Sequence, residues 1–399
     1  MRSFLPPQAV FAGLLAAFVG FASTFAVVLR GLAAAGASPA EAASGLMALC
    51  VAQGLCALWL SARTRMPISM AWSTPGAALL AASGAVEGGF PAAVGAFLLA
   101  AVLVVAAGWW RPLGRAVAAI PAMLANAMLA GVLLNLCLAP VHGVAQSPGP
   151  ALAIVAAWAV VGRVHRQLAV PAAVGVTVAL IVLQPGAAPA TSALPHPVLV
   201  WPVFTFAALV GVAVPLFIVT MASQNIPGIA VLGVNGFRPE PGPLFRATGV
   251  FSVLAAPFGG HAVNLAAITA AICAGTDAHP DPAQRWKAAA VNGAAYVVLG
   301  PLAAAMTGFA GTAPLLIETV AGLALLGALG GALHGAVAVP EEREAALVTF
   351  LVTGLGLGLR RRQRRLLGAA GRRGAAASNP AGRAPGTLIR PARAPTSAR

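Results

Sequence analysis

The fold of this 399-residue chain is decided by the stretch Pro67-Ile68-Ser69-Met70-Ala71-Trp72-Ser73-Thr74-Pro75-Gly76. Residues that permit extended backbone come first, then Ser-Thr-Pro, and a helix of small residues follows. A Ser or Thr directly before Pro is a favourable helix start, because its hydroxyl caps the first backbone N–H groups and Pro suits the first helical position. The stretch therefore predicts an extended segment that continues into a short helix, within a candidate span at 67–83.

A second stretch, Pro257-Phe258-Gly259-Gly260-His261-Ala262-Val263-Asn264-Leu265-Ala266, has the same design later in the chain, at an offset that aligns Ser73 with Asn264. Its glycines allow extended backbone, and we expect Asn264 to cap the Ala-rich helix that follows. We expect residues 67–74 and 257–263 to be non-helical, to lie near each other at membrane depth and to pair as strands, because extended backbone in hydrocarbon needs partners. Two such half-helices would direct their N-termini at one cavity in mid-membrane, where free N–H groups suit an anion. The alternative is that Ser, Thr and Pro only kink two ordinary packed helices.

The composition excludes most other classes of protein. Hydrophobic residues make up 59% of the chain and charged residues 8%, whereas a soluble domain carries about 25% charged residues. No soluble globule of this length could cover so much apolar surface with so few charges. A soluble enzyme, a disordered protein and a disulfide scaffold are excluded, and a polytopic membrane protein remains.

The apolar segments predict an all-α protein of about 14 transmembrane segments, with 12 as the alternative count. A full crossing needs about 20 apolar residues, and several segments are shorter than that. Short segments interrupted by Gly or Pro indicate broken helices around a central cavity. The candidate spans are 8–29, 42–61, 67–83, 90–109, 116–139, 150–163, 168–184, 203–224, 244–258, 260–275, 286–307, 312–330, 331–340 and 345–359.

The two halves of the chain are weakly alike. At the offset that aligns the two deciding stretches, Gly84 matches Gly275 and Pro91 matches Pro282. Because seven segments are an odd number, the second half would lie inverted in the membrane, and such 7+7 inverted repeats are typical of secondary transporters. The predicted domains are a first repeat at 1–184 (segments 1–7), a second repeat at 203–359 (segments 8–14) and a disordered Arg-rich tail at 360–399.

The net charge of +15 is concentrated in that tail, where residues 360–399 hold 11 Arg and no acid. A basic tail after a last span is expected on an anionic inner leaflet, so we do not expect a nucleic-acid partner. One set of alternating loops is rich in basic residues. The only basic residues of the opposing loops are Arg30 and Arg343. By the positive-inside rule both termini are cytoplasmic. The basic set comprises Arg63, Arg65, Arg111, Arg115, Arg163, Arg166, Arg238, Arg246, Arg285 and Lys287.

Three further polar features are candidates for function. The stretch Ser223-Gln224-Asn225-Ile226-Pro227-Gly228 places two amides at membrane depth, either as ligand groups or as hydrogen-bonding contacts between helices. His261 is the histidine within the half-helix stretches, and it could carry a proton or bond a free backbone carbonyl. Glu318 is the carboxylate that falls inside a span, which makes it the second candidate proton carrier.

The sequence lacks the signatures of common enzymes and of ATP-driven pumps. It has no HExxH, Walker A or GxSxG motif and no paired-carboxylate constellation of the kind that catalyses acid–base chemistry. The four cysteines, Cys50, Cys56, Cys137 and Cys273, lie in apolar segments without a CxxC pair. We therefore expect no enzymatic activity, no catalytic residue, no cofactor and no metal site.

Three stretches resemble the benzoate:proton symporter (BenE) family. The resemblance covers roughly residues 5–360, continues through His279-Pro280-Asp281-Pro282 and Arg285-Trp286, and excludes the tail. The stretches that carry it are the first deciding stretch, Ser223-Gln224-Asn225-Ile226-Pro227-Gly228-Ile229-Ala230-Val231-Leu232, and Gly260-His261-Ala262-Val263-Asn264-Leu265-Ala266-Ala267-Ile268-Thr269-Ala270-Ala271-Ile272-Cys273.

The resemblance implies multi-pass insertion in a bacterial-type inner membrane and import of benzoate, or a similar aromatic carboxylate, with protons. It also implies kinship with the uracil and nucleobase symporter fold, in which core and gate domains form from 7+7 inverted segments and short strands break segments 3 and 10. Nucleobase relatives place acidic residues on segments 8 and 10, where this chain has Gln224 and either Val263 or Asn264. Amides and half-helix N-termini would welcome a carboxylate that acids would repel, so this departure favours an anion.

These observations give a defined set of expectations. The expected partners are a small aromatic carboxylate, protons and the lipid bilayer, and a homodimer is a hypothesis. The alternatives are a proton-coupled transporter of another small anion or a nucleobase on the same fold, and a channel or membrane scaffold. His261 or Glu318 would carry the proton. The predicted substrate-binding residues are Trp72, Ser73, Thr74, Gln224, Asn225, Gly260, His261 and Asn264.

Overall fold

A computed structural model describes residues 5–110, 112, 122–183, 196–303, 305, 307–308, 313–352 and 354. The predicted tail at 360–399 lies outside these residues. Within the described part, six helical stretches are long and apolar enough to cross a membrane, which agrees with a polytopic membrane protein. They are Pro7–Ala34, Pro39–Thr64, Gly89–Trp109, Leu129–Gln146, Phe206–Val234 and Pro314–Ala336.

Up to residue 183 the described chain consists of helices, the loops between them and one short strand. Strand β1, Met70–Trp72, leads directly into the short helix that the Ser-Thr-Pro sequence predicts. The helices are α1 Pro7–Ala34, α2 Pro39–Thr64, α3 Thr74–Ser83, α4 Gly89–Trp109, α5 Ala122–Cys137, α6 Ala139–Gln146, α7 Pro148–Val164 and α8 Ala169–Val182.

After residue 196 a second strand, β2 at Val263–Leu265, is followed by another short helix. The helices here are α9 Phe206–Val234, α10 Pro241–Ala255, α11 Ile268–Ala274, α12 Trp286–Leu299 and α13 Pro314–Ala336, and residues 343–352 are also helical. Single 3₁₀ turns lie at Arg166–Leu168, Ala256–Phe258, Pro282–Gln284, Gly300–Leu302 and Pro340–Glu342.

The two strands pair with each other in antiparallel register, Met70 opposite Leu265, Ala71 opposite Asn264 and Trp72 opposite Val263. Two more backbone bonds extend the ladder, from Ser73 N to the oxygen of Ala262 and from Ala266 N to the oxygen of Ser69, both 3.0 Å. Extended backbone in hydrocarbon needs internal partners, and each strand supplies them to the other. The prediction that the two stretches are extended and adjacent is confirmed.

The extended segments are shorter than predicted, because the first ends earlier and the second begins later. Pro257 and Phe258 belong to a 3₁₀ turn that continues α10, and Thr74 is already the first residue of α3. Gly259 ends that turn with φ of +90°, a conformation that glycine adopts without steric cost. The chain therefore leaves α10 through a left-handed glycine before it enters β2.

Helix α9 contains two widened turns of π geometry, at Leu209–Ala213 and Met221–Asn225. Pro215 and Pro227 follow these turns, each as the second residue of the next α-helical stretch. A proline ring clashes with the carbonyl four residues before it, and a π turn relieves that clash by lengthening the spacing to five residues. The second widened turn carries the adjacent amides Gln224 and Asn225.

Close glycine contacts fix the helix packing around the strand pair. Helices α2 and α12 cross at Gly54 and Gly293, where a Cβ on either residue would lie 2.5–2.6 Å from the carbonyl oxygen of the other. Helices α4 and α10 also meet at glycine, since a Cβ on Gly249 would lie 2.7 Å from the backbone nitrogen of Val105. Backbones this close leave no room for side chains at the crossings.

Two sequence predictions need correction. The separate spans predicted at 312–330 and 331–340 form one continuous helix, α13, because the Gly330-Gly331 pair does not interrupt a run of helix-forming Leu and Ala residues. A break there would also leave backbone groups without partners in hydrocarbon. In addition, the pattern of alternating loops places Arg30 in a loop, but this residue lies within α1, four residues before the helix ends.

Candidate functional site

The start of α3 is built around the side chain of Ser73. Its Oγ accepts a hydrogen bond from the backbone N–H of Gly76 at 3.1 Å, which is the predicted N-cap. The hydroxyl of Thr220 in α9 donates to the same Oγ at 2.9 Å. Ser73 and Thr220 are both buried. The helix start is thus held against α9 by a buried hydroxyl pair.

Asn264 lies in β2 and does not cap a helix, which corrects the sequence prediction. Helix α11 begins at Ile268, and Ala267 precedes it without a side-chain cap. With the amide oxygen facing Ser73, Asn264 accepts from Ser73 N at 3.0 Å and donates to the oxygen of Leu265 at 2.9 Å. The capping preference of Asn is a local effect, and here strand pairing with Ala71 overrides it.

The two adjacent amides of α9 lie in different surroundings. Asn225 is fully buried, and its Oδ1 accepts the backbone N–H of Leu265 at 2.9 Å, while its Nδ2 contacts Met221 Sδ at 3.2 Å. It therefore connects α9 to β2 and acts as a structural contact within the protein. Gln224 is only half-buried. It lies one turn beyond Thr220, whose hydroxyl contacts the start of α3.

His261 is 1% exposed and lies two residues before β2. Its Nε2 lies 2.8 Å from the carbonyl oxygen of Ser73, so this nitrogen carries a proton and donates it. The ring meets Phe97 edge to face, with centroids 6.3 Å apart. The sequence allows His261 to carry a proton or to bond a backbone carbonyl, and the structure contains the bond to a backbone carbonyl.

Trp72 and Gly260 complete the predicted set, and both are buried. The indole Nε1 of Trp72 donates to Thr24 Oγ1 at 2.9 Å, and its ring packs edge to face on Tyr296 at 5.7 Å. A Cβ on Gly260 would lie 2.8 Å from Ala255 Cβ, so a side chain does not fit there. These two residues shape the site from within the protein.

The structure thus brings the eight predicted substrate-binding residues together around one strand pair, but it gives them different exposures. Thr74 and Gln224 are half-buried and present surface. The other six are buried, namely Trp72, Ser73, Asn225, Gly260, His261 and Asn264. In the described residues, no group of three or more His, Cys, Asp or Glu side chains is arranged to hold a metal ion.

A crevice of about 430 Å³ lies between the end of α1 and the start of α13. Nη1 of Arg30 and Oε1 of Glu318 form an ion pair there, with 33% and 40% of their side chains exposed. The sequence indicates Glu318 as a candidate but not Arg30, which its loop pattern places beyond the first span. One feature of the sequence could have placed Arg30 within the first helix, namely the apolar pattern that continues past it through Leu32 and Ala35.

The crevice reaches the last turn of α3. Ala81, which lies in its wall, is seven residues beyond Thr74 on α3, or about 10 Å along the axis at 1.5 Å per residue. A second, much smaller cavity of about 10 Å³ also borders Arg30 and Glu318. It is lined by Val27, Leu136, Ala139, Ala321 and Leu325.

Comparison with known proteins identifies a family and relatives that this chain resembles. A family model described as benzoate membrane transport protein (BenE) matches residues 3–368. Inner membrane protein YdcO of Escherichia coli is 41% identical over 367 residues, covering 90% of this chain and 93% of YdcO. The benzoate membrane transport protein of Acinetobacter baylyi is 28% identical over 358 residues, covering 88% and 89%.

The fold also has a counterpart among solved structures. The chain is similar to the transmembrane domain of a cyanobacterium bicarbonate transporter, BicA, with a TM-score of 0.63 and 15% sequence identity. The similarity covers 90% of this chain and 97% of that domain. At this level of identity the likeness concerns the fold alone.

Proposed function

This chain belongs to the BenE family of benzoate membrane transport proteins, and from that premise we propose that it imports benzoate or a similar aromatic carboxylate with protons across the inner membrane. It is a membrane transporter and not an enzyme. The Acinetobacter baylyi relative supports the substrate class, and YdcO supports the inner-membrane location.

The observation that carries the proposal is the neutral, hydrogen-bonding character of the site around the start of α3. The half-buried residues there are Thr74 and Gln224, which carry a hydroxyl and an amide. Behind them, the Ser73–Thr220 hydroxyl pair fixes the position of the helix start. Donor groups without a neighbouring acid favour a carboxylate ligand, because an acidic side chain would repel it.

We propose the residue roles accordingly. Thr74 and Gln224 contact the substrate carboxylate. Ser73, Asn225, Asn264, Trp72 and Gly260 position them from within the fold, through the bonds and close contacts described above. His261 and Glu318 are the two candidates for the proton carrier, and they differ in that Glu318 lines a crevice while His261 is buried.

We also propose the 7+7 inverted arrangement, with repeats at 1–184 and 203–359 and both termini cytoplasmic. Two observations support it. The strands β1 and β2 precede equivalent short helices and run antiparallel to each other. If the two halves are equivalent, α2 corresponds to α10 and α12 corresponds to α4. The close packing of α2 on α12 should then recur between α10 and α4, and both crossings are close at glycine. A homodimer remains a hypothesis.

Coupling to protons has an energetic reason. Moving one negative charge into a cell that is negative inside costs about 2.3 kcal/mol per 100 mV of membrane potential. One co-transported proton cancels this cost, and an inward pH gradient adds about 1.36 kcal/mol per pH unit. Proton symport would therefore let the cell concentrate an aromatic carboxylate.

The substrate class is tested by ligand-dependent thermal unfolding of the purified protein. A ligand that binds only the folded state stabilises that state by about 2.7 kcal/mol when its concentration is about 100 times its Kd. We expect benzoate to raise the unfolding temperature, while uracil and bicarbonate at the same concentrations leave it unchanged. Stabilisation by uracil or bicarbonate without stabilisation by benzoate would support the second candidate function, transport of a nucleobase or another anion on this fold.

A further inference from the structure

We infer that Arg30 and Glu318 form a docking site for the substrate carboxylate, at which the substrate replaces Glu318 on Arg30 and the released Glu318 takes up the transported proton. The inference rests on the proposed function in one respect, that the substrate is an organic carboxylate. It adds a second site, separate from the start of α3, and it assigns the proton to one residue.

The ion pair connects two helices that are distant in sequence, α1 and α13, at the wall of the crevice. About a third of the Arg30 side chain and two fifths of the Glu318 side chain are exposed. The Nη1 atom of Arg30 that faces Glu318 is itself buried, so an incoming carboxylate reaches that atom only by displacing Glu318. An ion pair at such exposure contributes little net stability. Exchange of one carboxylate for another on Arg30 is therefore inexpensive, and the planar guanidinium can bind either carboxylate through two parallel hydrogen bonds.

The walls of the crevice suit an aromatic ring beside that guanidinium. The volume of the crevice, about 430 Å³, lies within the roughly 300–1,000 Å³ that small-molecule sites occupy. Three of the thirteen lining residues are polar, Arg30, Glu318 and Thr307. The other ten are apolar, most of them alanine.

Charge balance then links the anion to one proton. The empty crevice holds one positive and one negative charge, from Arg30 and Glu318. A bound carboxylate adds a second negative charge, which is costly beside apolar walls. A proton from the aqueous phase that binds the released Glu318 carboxylate restores neutrality, with the substrate paired to Arg30 and Glu318 held as the neutral acid.

The other titratable groups on the helices around the crevice do not line it. Glu41 on α2 accepts the backbone N–H of Ser38 at 2.7 Å in a capping box. His142 on α6 is exposed, and His334 lies in the last turn of α13, far along the helix from Glu318. Glu87 lies between α3 and α4. Among the described residues that line the crevice, Arg30 and Glu318 are the charged ones.

The proposal predicts a measurable proton uptake on binding. Purified full-length protein in weakly buffered detergent solution is mixed with benzoate, and pH change and bound benzoate are measured together. Wild type should take up one proton per benzoate bound at the crevice. Glu318→Gln should bind benzoate without proton uptake. Arg30→Gln should bind at least tenfold more weakly, with Arg30→Lys between it and wild type. Glu41→Gln, which retains the capping geometry, should behave as wild type.

The outcomes separate the inference from the proposed function. If wild type binds no aromatic carboxylate, the proposed function is wrong and the inference falls with it. If wild type binds benzoate but Glu318→Gln takes up the same number of protons, the inference alone is overturned. Unchanged benzoate affinity in Arg30→Gln also overturns it. Should a single variant unfold, the double variant Arg30→Gln/Glu318→Gln, which leaves no unpaired charge, must show both losses.

Discussion

The hydroxyl of Thr220 donates a 2.9 Å hydrogen bond to the hydroxyl of Ser73, which caps α3 through Gly76. This contact joins the middle of α9 to the start of the half-helix that follows β1. The cap oxygen is thereby fixed from two directions, by its own helix and by a neighbouring one. A movement of α9 relative to the strand pair would therefore displace the start of α3, where we place the substrate.

Thr220→Val tests this connection with little change in side-chain volume. We expect a loss of about 1 kcal/mol in the free energy of unfolding, typical of one buried hydrogen bond, and weaker benzoate binding. The matched control is Thr177→Val, since Thr177 is equally buried but donates only to the carbonyl of Ala173 in its own helix. Thermal unfolding and benzoate titration measure both effects. Equal loss of affinity in the two variants would contradict a specific role of Thr220.

The neighbouring amides of α9 should have opposite phenotypes. Asn225→Ala leaves the buried N–H of Leu265 without its acceptor and should cost about 1–3 kcal/mol of unfolding free energy. Gln224→Ala should change stability by less than about 0.5 kcal/mol, and we expect it to weaken benzoate affinity about tenfold, or about 1.4 kcal/mol. Unfolding curves and titrations on both variants separate the two roles. A destabilised Gln224→Ala with normal affinity would place the ligand elsewhere.

His261→Gln separates a structural histidine from a proton carrier. A glutamine amide can still donate to the carbonyl of Ser73, so we expect folded protein with modestly reduced stability. Benzoate uptake should keep its pH dependence, because the proton is assigned to Glu318. The measurement is initial uptake at several external pH values, with Glu318→Gln alongside. Loss of the pH response in His261→Gln, with the response retained in Glu318→Gln, would move the coupling to the histidine.

The glycine crossing of α2 and α12 should tolerate no side chain. In Gly293→Ala the added Cβ meets the carbonyl oxygen of Gly54 at 2.6 Å, so the helices must separate, at a cost of about 1–3 kcal/mol. Gly175→Ala in α8 is the control, because nothing lies within 4 Å of the position that its Cβ would take, and alanine favours helix by roughly 0.5–1 kcal/mol. Thermal unfolding should show opposite signs for the two variants. Equal stability would mean that the crossing is looser than described.

Local chemistry explains what the sequence predicts correctly. The Ser-Thr-Pro cap of α3 depends on residues within four positions of each other, and the structure has it at Ser73. The strand pair follows from a general requirement, that extended backbone in hydrocarbon must find partners. Both predictions rest on rules that hold wherever the rest of the chain lies.

Long-range contacts explain what the sequence does not predict. Its local pattern makes Asn264 a helix cap, but the position of this residue is decided by pairing with Ala71, far away in the chain. Arg30 resembles a loop residue because its partner, Glu318, lies on a distant helix. The exposure of Gln224 and the burial of Asn225 depend on the widened turn of α9 and on the position of β2. A sequence pattern alone does not encode these relationships.

The most direct test of the account is uptake of labelled benzoate by proteoliposomes with and without an inward acid pH gradient, with protein-free liposomes as the control for passive entry of benzoic acid. We predict accumulation above the protein-free level that requires the gradient, disappears with a protonophore and is blocked by unlabelled benzoate but not by uracil. Uptake that only equilibrates benzoate, or that ignores both the gradient and the protonophore, would contradict proton-coupled import and would indicate a channel.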